Sequence, residues 1–138
     1  MYEIIDHTAD IGIRVEGGSL EELFLRAAEA LIDLTVRQKR QFIPSIEVPI
    51  AIDAPNVEQL FVRWLSELLF IFETRKLVLT KFWIDAIDEH RVEGAAKGLK
   101  FEDTRHEQRL SIKAVTYHKL SVAQGPDGRW RAEVIFDI

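Results

Sequence analysis

The 138-residue chain has no cysteine, four prolines, seven glycines and one methionine. Without cysteine there is no disulfide, no thiol nucleophile, no thiolate-held zinc and no iron–sulfur cluster, and the composition suits a reducing compartment. Long apolar runs are missing as well: the longest is Leu68 to Phe72, far short of the roughly 20 residues that span a bilayer. The first residues lack a basic stretch followed by an apolar one, so no leader is expected. These absences predict a cytoplasmic protein with no membrane partner. The phosphate loop, the dinucleotide fingerprint, the hydrolase elbow G-x-S-x-G and the zinc motif H-E-x-x-H are absent too, which removes the commonest enzyme signatures.

What is present is an ordinary globular composition, 47% apolar and 30% charged, enough for a single domain over residues 1–138. A chain of this length buries roughly two thirds of its unfolded surface and needs no staple. The net charge of −5 disfavours a protein that holds nucleic acid by overall positive charge. Charge is uneven, however. Residues 1–36 carry eight acids against Arg14 and Arg26, whereas residues 97–119 carry six bases against Glu102, Asp103 and Glu107.

Apolar residues alternate at Ile11, Ile13 and Val15, the period of a half-buried strand, with Gly17-Gly18 as a break and a shorter strand expected around Tyr2 to Asp6. Ser19 stands three residues before Glu22, the capping-box spacing, so a helix should begin there. Its stripe of Leu20, Leu23, Phe24, Ala27, Ala28, Leu31 and Ile32 carries it to about Val36, before the polar run Arg37 to Gln41. Ile46, Val48, Ile50 and Ile52 alternate as a second long strand, which Pro49 places near a sheet edge. After Ala54-Pro55-Asn56, a strong stripe from Val57 to Phe72 predicts a helix over residues 56–74. Strand patterns follow at Val78, Phe82 to Ala86, Val92 to Lys97, Leu110 to Tyr117, Leu120 to Val122 and Trp130 to Phe136. Pro126-Asp127-Gly128 should turn the last hairpin, and Gly98 to Glu107 reads as the one long loop. The expected class is α+β: two amphipathic helices on one face of a largely antiparallel sheet, in the order β-β-α-β-α followed by strands.

Candidate chemistry gathers near the two ends. Asp6-His7-Thr8-Ala9-Asp10 places two carboxylates and an imidazole in a short segment leading into a strand. Hard carboxylate oxygens suit Ca²⁺ or Mg²⁺ better than zinc, and the same residues serve equally as turn formers that accept backbone N–H bonds. The closing Phe136-Asp137-Ile138 sets the Asp137 carboxylate one residue from the terminal one. Should the last strand lie beside Asp10, three carboxylates converge and need a cation. In Ser111 to His118, an extended strand would turn Lys113, Val115 and Tyr117 to one face and Ala114, Thr116 and His118 to the other. Lysine and histidine there also fit a plain solvated face.

Taken together, Asp6-His7-Thr8-Ala9-Asp10-Ile11-Gly12, Ser19 to Phe24, Lys113 to His118 and the closing Asp137-Ile138 resemble the archease family over essentially the whole chain, with a second helix of the same character from Leu60 to Glu73. The resemblance implies a non-catalytic cofactor of the GTP-dependent RNA-splicing ligase that joins tRNA exon halves. Such a cofactor promotes guanylylation of the ligase histidine and repeated turnover, and meets RNA indirectly through its partner. A chaperone-like role toward a tRNA methyltransferase is also implied. Asp10, Asp137 and the terminal Ile138, through its backbone oxygens, match the family's metal ligands, with Ca²⁺ the usual ion and Mg²⁺ or Mn²⁺ as alternatives. Lys113, His118 and Asp6 are the candidates for partner activation. Ser111-Ile112 departs from the acidic-plus-valine pair expected before Lys113, and Arg37 to Arg40 is unusually basic. Two other readings compete: a metal-dependent hydrolase using Asp10 and Asp137 with His118 as base, and a plain RNA-binding module.

Overall fold

The computed structural model describes residues 1–6 and 10–138; His7, Thr8 and Ala9, the middle of the Asp6-to-Asp10 motif, lie outside the described residues. The chain runs β1 (Tyr2–Asp6), β2 (Asp10–Gly17), α1 (Leu20–Thr35), β3 (Val36–Gln38), β4 (Ile46–Asp53), α2 (Val57–Arg75), β5 (Leu77–Ile87), β6 (Arg91–Lys100), β7 (His106–Gln108), β8 (Ala114–Val115), β9 (Ser121–Gln124) and β10 (Trp130–Asp137). The α+β class holds, and every described ladder is antiparallel. The strands divide into three sheets, however. A five-stranded sheet runs β1-β2-β10-β8 with β9 also on β10, a three-stranded sheet runs β4-β6-β5, and β3 pairs with β7. Each helix touches strands of both larger sheets, so one apolar cluster joins Ile13, Val134 and Phe136 to Leu79, Val92 and Ala96 through Phe24, Phe61 and Trp64.

Both helices start where the sequence marks them. Ser19 Oγ accepts the Glu22 N–H at 3.1 Å, while the Glu22 carboxylate reaches past the cap to the Gly18 N–H at 2.7 Å. That bond holds the Glu22 carboxyl below the usual carboxylate range. Asn56 caps α2 by accepting the Gln59 N–H at 2.9 Å. The helices are then bound to each other at their buried faces: Phe24 meets Phe61 edge-on at 5.3 Å, and the Trp64 indole N–H donates to the Phe24 carbonyl at 3.0 Å. A buried indole N–H without that acceptor would cost on the order of 1–3 kcal/mol.

Pro49 lies on β4, which among the described residues pairs only with β6 and is an edge, as its missing N–H requires. The hairpin at Pro126-Asp127-Gly128 also forms, with Gly128 at φ +81° and the Gly128 N–H donating to the Gly125 carbonyl at 3.0 Å. Two expectations fail. Of the strand expected over Leu110 to Tyr117, only Ala114–Val115 pairs. The Arg109 and Leu110 N–H groups instead donate to the Thr35 and Leu34 carbonyls at 2.8 and 3.0 Å, satisfying the orphan acceptors at the end of α1. The loop expected over Gly98 to Glu107 is shorter: β6 runs on to Lys100, and His106 opens β7 against β3. What orders this segment is the buried His106 ring, stacked on Phe101 at 5.6 Å with its Nδ1 accepting the Glu102 N–H at 3.2 Å. Burial, then the adjacent Arg105 charge, push the imidazole below its ordinary value.

Candidate functional site

Antiparallel pairing puts directly opposite residues on one face, with Cβ atoms roughly 4.5–5.5 Å apart. The β2–β10 register sets Asp10 opposite Asp137 and Ile11 opposite Phe136. Ile11 and Phe136 are 7% and 0% exposed and point into the core; alternation therefore sends Asp10 and Asp137 outward together at the end of the sheet. Asp10 is half-buried and Asp137 exposed. Ala114 lies across from Asp137 on the other side, and the Lys113 N–H donates to the Asp137 carbonyl at 2.8 Å. Ile138 follows at 40% exposure.

The structure thus brings Asp10, Asp137, Ile138 and Lys113 to one sheet end, from both ends of the chain and its last third. Asp6 belongs to the neighbouring row, with its backbone opposite Ile11. His118 is not gathered in. β8 stops at Val115, the chain turns through His118 and Lys119, the latter at φ +53°, and the exposed His118 lies beyond the Thr116 N–H bond to Ile135. The shared face of Ala114, Thr116 and His118 required a strand that the structure ends too early. Beside Ser111 and Ile112, a cavity of about 350 Å³ opens between the ends of the two helices, lined by Thr35, Phe72, Glu73 and Lys76. No sequence signal pointed to it, because its walls come from four separate segments.

Further up the same outer face, the rows are neutralised. Arg14 bonds Glu3 at 3.2 Å and Glu133 at 3.3 Å, and its pKa is raised by those carboxylates. Arg131 bonds Glu16 at 2.9 Å and Asp127 at 2.7 Å. The Arg131 guanidinium and the Arg129 N–H hold the Asp127 carboxyl down at about 2. At the end of this face the Asp10 and Asp137 carboxylates lie directly opposite each other. Like charges directly opposite repel, and a hard cation relieves the repulsion with the oxygen donors it prefers. The donor chemistry therefore fits such an ion. No group of three or more His, Asp or Glu side chains gathers among the described residues.

The model of the archease protein family matches residues 2–138. The chain belongs to the archease family. Protein archease of Pyrococcus furiosus is 36% identical over 140 residues, covering 99% of this chain and 98% of the relative. That of Methanosarcina mazei is 35% identical, covering 99% and 95%. Among solved archease-like folds, the solution structure of Methanobacterium thermoautotrophicum protein 1598 superposes with a TM-score of 0.79 at 33% identity, over 99% of this chain and 98% of that one. The crystal structure of a Thermotoga maritima archease, titled a possible chaperone, gives 0.67 at 20% identity over 100% and 98%, a likeness of fold. Within the archease family, the α+β arrangement of two helices on antiparallel sheets is thus shared.

Proposed function

We propose that this protein is a non-catalytic activator of the GTP-dependent RNA-splicing ligase, promoting guanylylation of the ligase histidine and repeated turnover. The observation that carries the reading is the register that opposes Asp10 to Asp137 at an exposed sheet end, with Lys113 fastened to the same strand. Membership of the archease family supports it, as does the chaperone description attached to the Thermotoga relative. Asp10, Asp137 and a main-chain oxygen of Ile138 would hold a divalent cation, Ca²⁺ first, with Mg²⁺ or Mn²⁺ as alternatives. When bound, the ion supplies positive charge at an accessible edge where phosphate or a partner's carboxylate can approach. The chain's own residues do the rest: the β2–β10 ladder fixes the two carboxylates, and the Lys113 main chain holds the last strand against β8.

The deciding experiment is single-turnover GTP labelling of the ligase from the same source, with and without this protein, alongside Asp10→Ala and Asp137→Ala. Activation by the wild type and its loss in both variants, with unchanged urea unfolding cooperativity, is expected. Activation retained by both variants refutes the role of the carboxylates; no activation by the wild type sends the search to a tRNA methyltransferase partner. Calorimetric titration of Ca²⁺ into chelator-treated protein should show binding that Asp137→Ala loses.

A further inference from the structure

The three-stranded sheet has an outer face of opposite character. Its β5–β6 register sets Lys81 directly across from Lys97, a second pair of like charges, while on its other side Lys97 faces Glu47 with an ion-pair distance of 4.0 Å. Trp83, half-buried, lies two residues along β5 on the same face, with the Lys97 ammonium 6.0 Å from its ring. Lys81 also lines a groove of about 290 Å³ with Gln38, Gln41, Phe42, Pro44 and Thr80. At Phe42, two guanidiniums gather round one ring, Arg40 at 5.0 Å and Arg105 at 6.0 Å. Lys39 adjoins them, its N–H bonded to the Arg105 carbonyl at 2.9 Å and its ammonium to the Asp103 carbonyl.

Four cations therefore follow one track, Lys39, Arg40, Lys81 and Lys97; the Arg105 guanidinium beside them is bonded within the fold to the Lys100 carbonyl at 2.7 Å and to Glu102 at 3.2 Å. Glu47 is the acid that meets the track; among the described residues no carboxylate lies within ion-pair distance of Arg40 or Lys81. The net charge of −5 averages over this segregation and hides it. A line of separated cations ending at an aromatic ring matches a polyanion with flat bases. The cations track phosphates, and the ring offers a sequence-tolerant stacking surface. Arginine forks suit phosphate oxygens in pairs. An acidic protein surface would use the charges and leave Trp83 without a role.

From this we infer that the outer face of β5 and β6, with the 39–42 segment, binds a single strand of nucleic acid along Lys39, Arg40, Lys81 and Lys97, with Trp83 stacking on a base. The choice of RNA over DNA rests on the activator reading above; the binding itself does not, and is measured without the ligase. The test is fluorescence anisotropy of a fluorescein-labelled 15-nucleotide single-stranded RNA, titrated at several salt concentrations, with the same DNA in parallel. Three to four phosphate contacts at about 0.7 each predict a log–log salt slope between about −2 and −3. Lys81→Gln/Lys97→Gln should weaken binding at least about tenfold and flatten the slope. Trp83→Ala should cost roughly tenfold with the slope kept, since stacking carries no counterion. Should Trp83→Ala unfold, Trp83→Phe takes its place, expected to bind with a smaller loss. Arg14→Gln/Arg131→Gln removes the same charge from the other sheet and should leave affinity unchanged. Equal losses in the two double variants, or no salt-sensitive binding by the wild type, overturn the inference.

Discussion

The two larger sheets each present an outer face, and one rule of cross-strand pairing reads both differently. On the five-stranded sheet, opposite charges meet in the rows Glu3–Arg14–Glu133 and Glu16–Arg131, and the surface there is self-satisfied. At its end the rule is broken with two carboxylates, Asp10 and Asp137. On the three-stranded sheet it is broken with two ammoniums, Lys81 and Lys97. Directly opposed like charges are unfavourable for the isolated chain; one member of each row is met from within, Lys97 by Glu47 at 4.0 Å and Asp10 by a contact of its own, and a binding partner of opposite charge would add to this. The sign of the row then states the sign of such a partner.

The largest effect that would break this contrast is in function: Asp137→Ala should abolish ligase activation in the GTP-labelling assay while nucleic acid binding persists. Its conservative form sharpens the point, because in chelator Asp137→Asn should melt no lower than the wild type, and with Ca²⁺ added only the wild type should rise. Next comes Gly98→Ala. The added Cβ would sit 2.1 Å from the Val78 carbonyl oxygen, beside the bulge between Leu79 and Lys81. Overpacking of that kind costs about 1–3 kcal/mol, read as a lower urea midpoint, and should weaken the lysine row without touching the carboxylate end. Smaller still, Lys81→Glu turns the like-charge row into an opposite-charge one. It should stabilise by about 0.2–0.5 kcal/mol once screening is counted, while removing nucleic acid affinity. The smallest effect is spectroscopic. Arg131→Ala should return the Asp127 carboxyl from about 2 toward its ordinary 3.8, as followed by NMR titration. Since that pKa is depressed in the folded state, the pair's contribution is present above 3.8 and lost as pH falls through about 2.

The two broken rows were not equally legible in the sequence. Asp10 and Asp137 each open or close a strand whose apolar alternation runs to its last residue, so the antiparallel pairing of β2 with β10 was the one unknown between the residues and the site. Lys81 and Lys97 lie on β5 and β6, whose register shifts at two bulges; no periodicity reports a bulge, and a one-residue slip would turn one of the lysines to the other face. The helices were readable because their caps and stripes are local. β3 and β7 were not, being three residues each and ordered by a buried histidine whose neighbours come from another segment. Nor was the fate of His118, since the strand carrying it gives up its N–H groups at Arg109 and Leu110 to the end of a helix.

The pairing of β2 with β10 joins one of the first strands to the last. Closing a loop over nearly the whole chain carries an entropic cost that grows with the logarithm of its length, and contacts so distant in sequence form slowly. The β5–β6 hairpin joins neighbours in sequence and can pair while the β2–β10 ladder is still open. The acidic edge therefore depends on the closure of the most distant ladder in the described chain, whereas the lysine face depends on a local one.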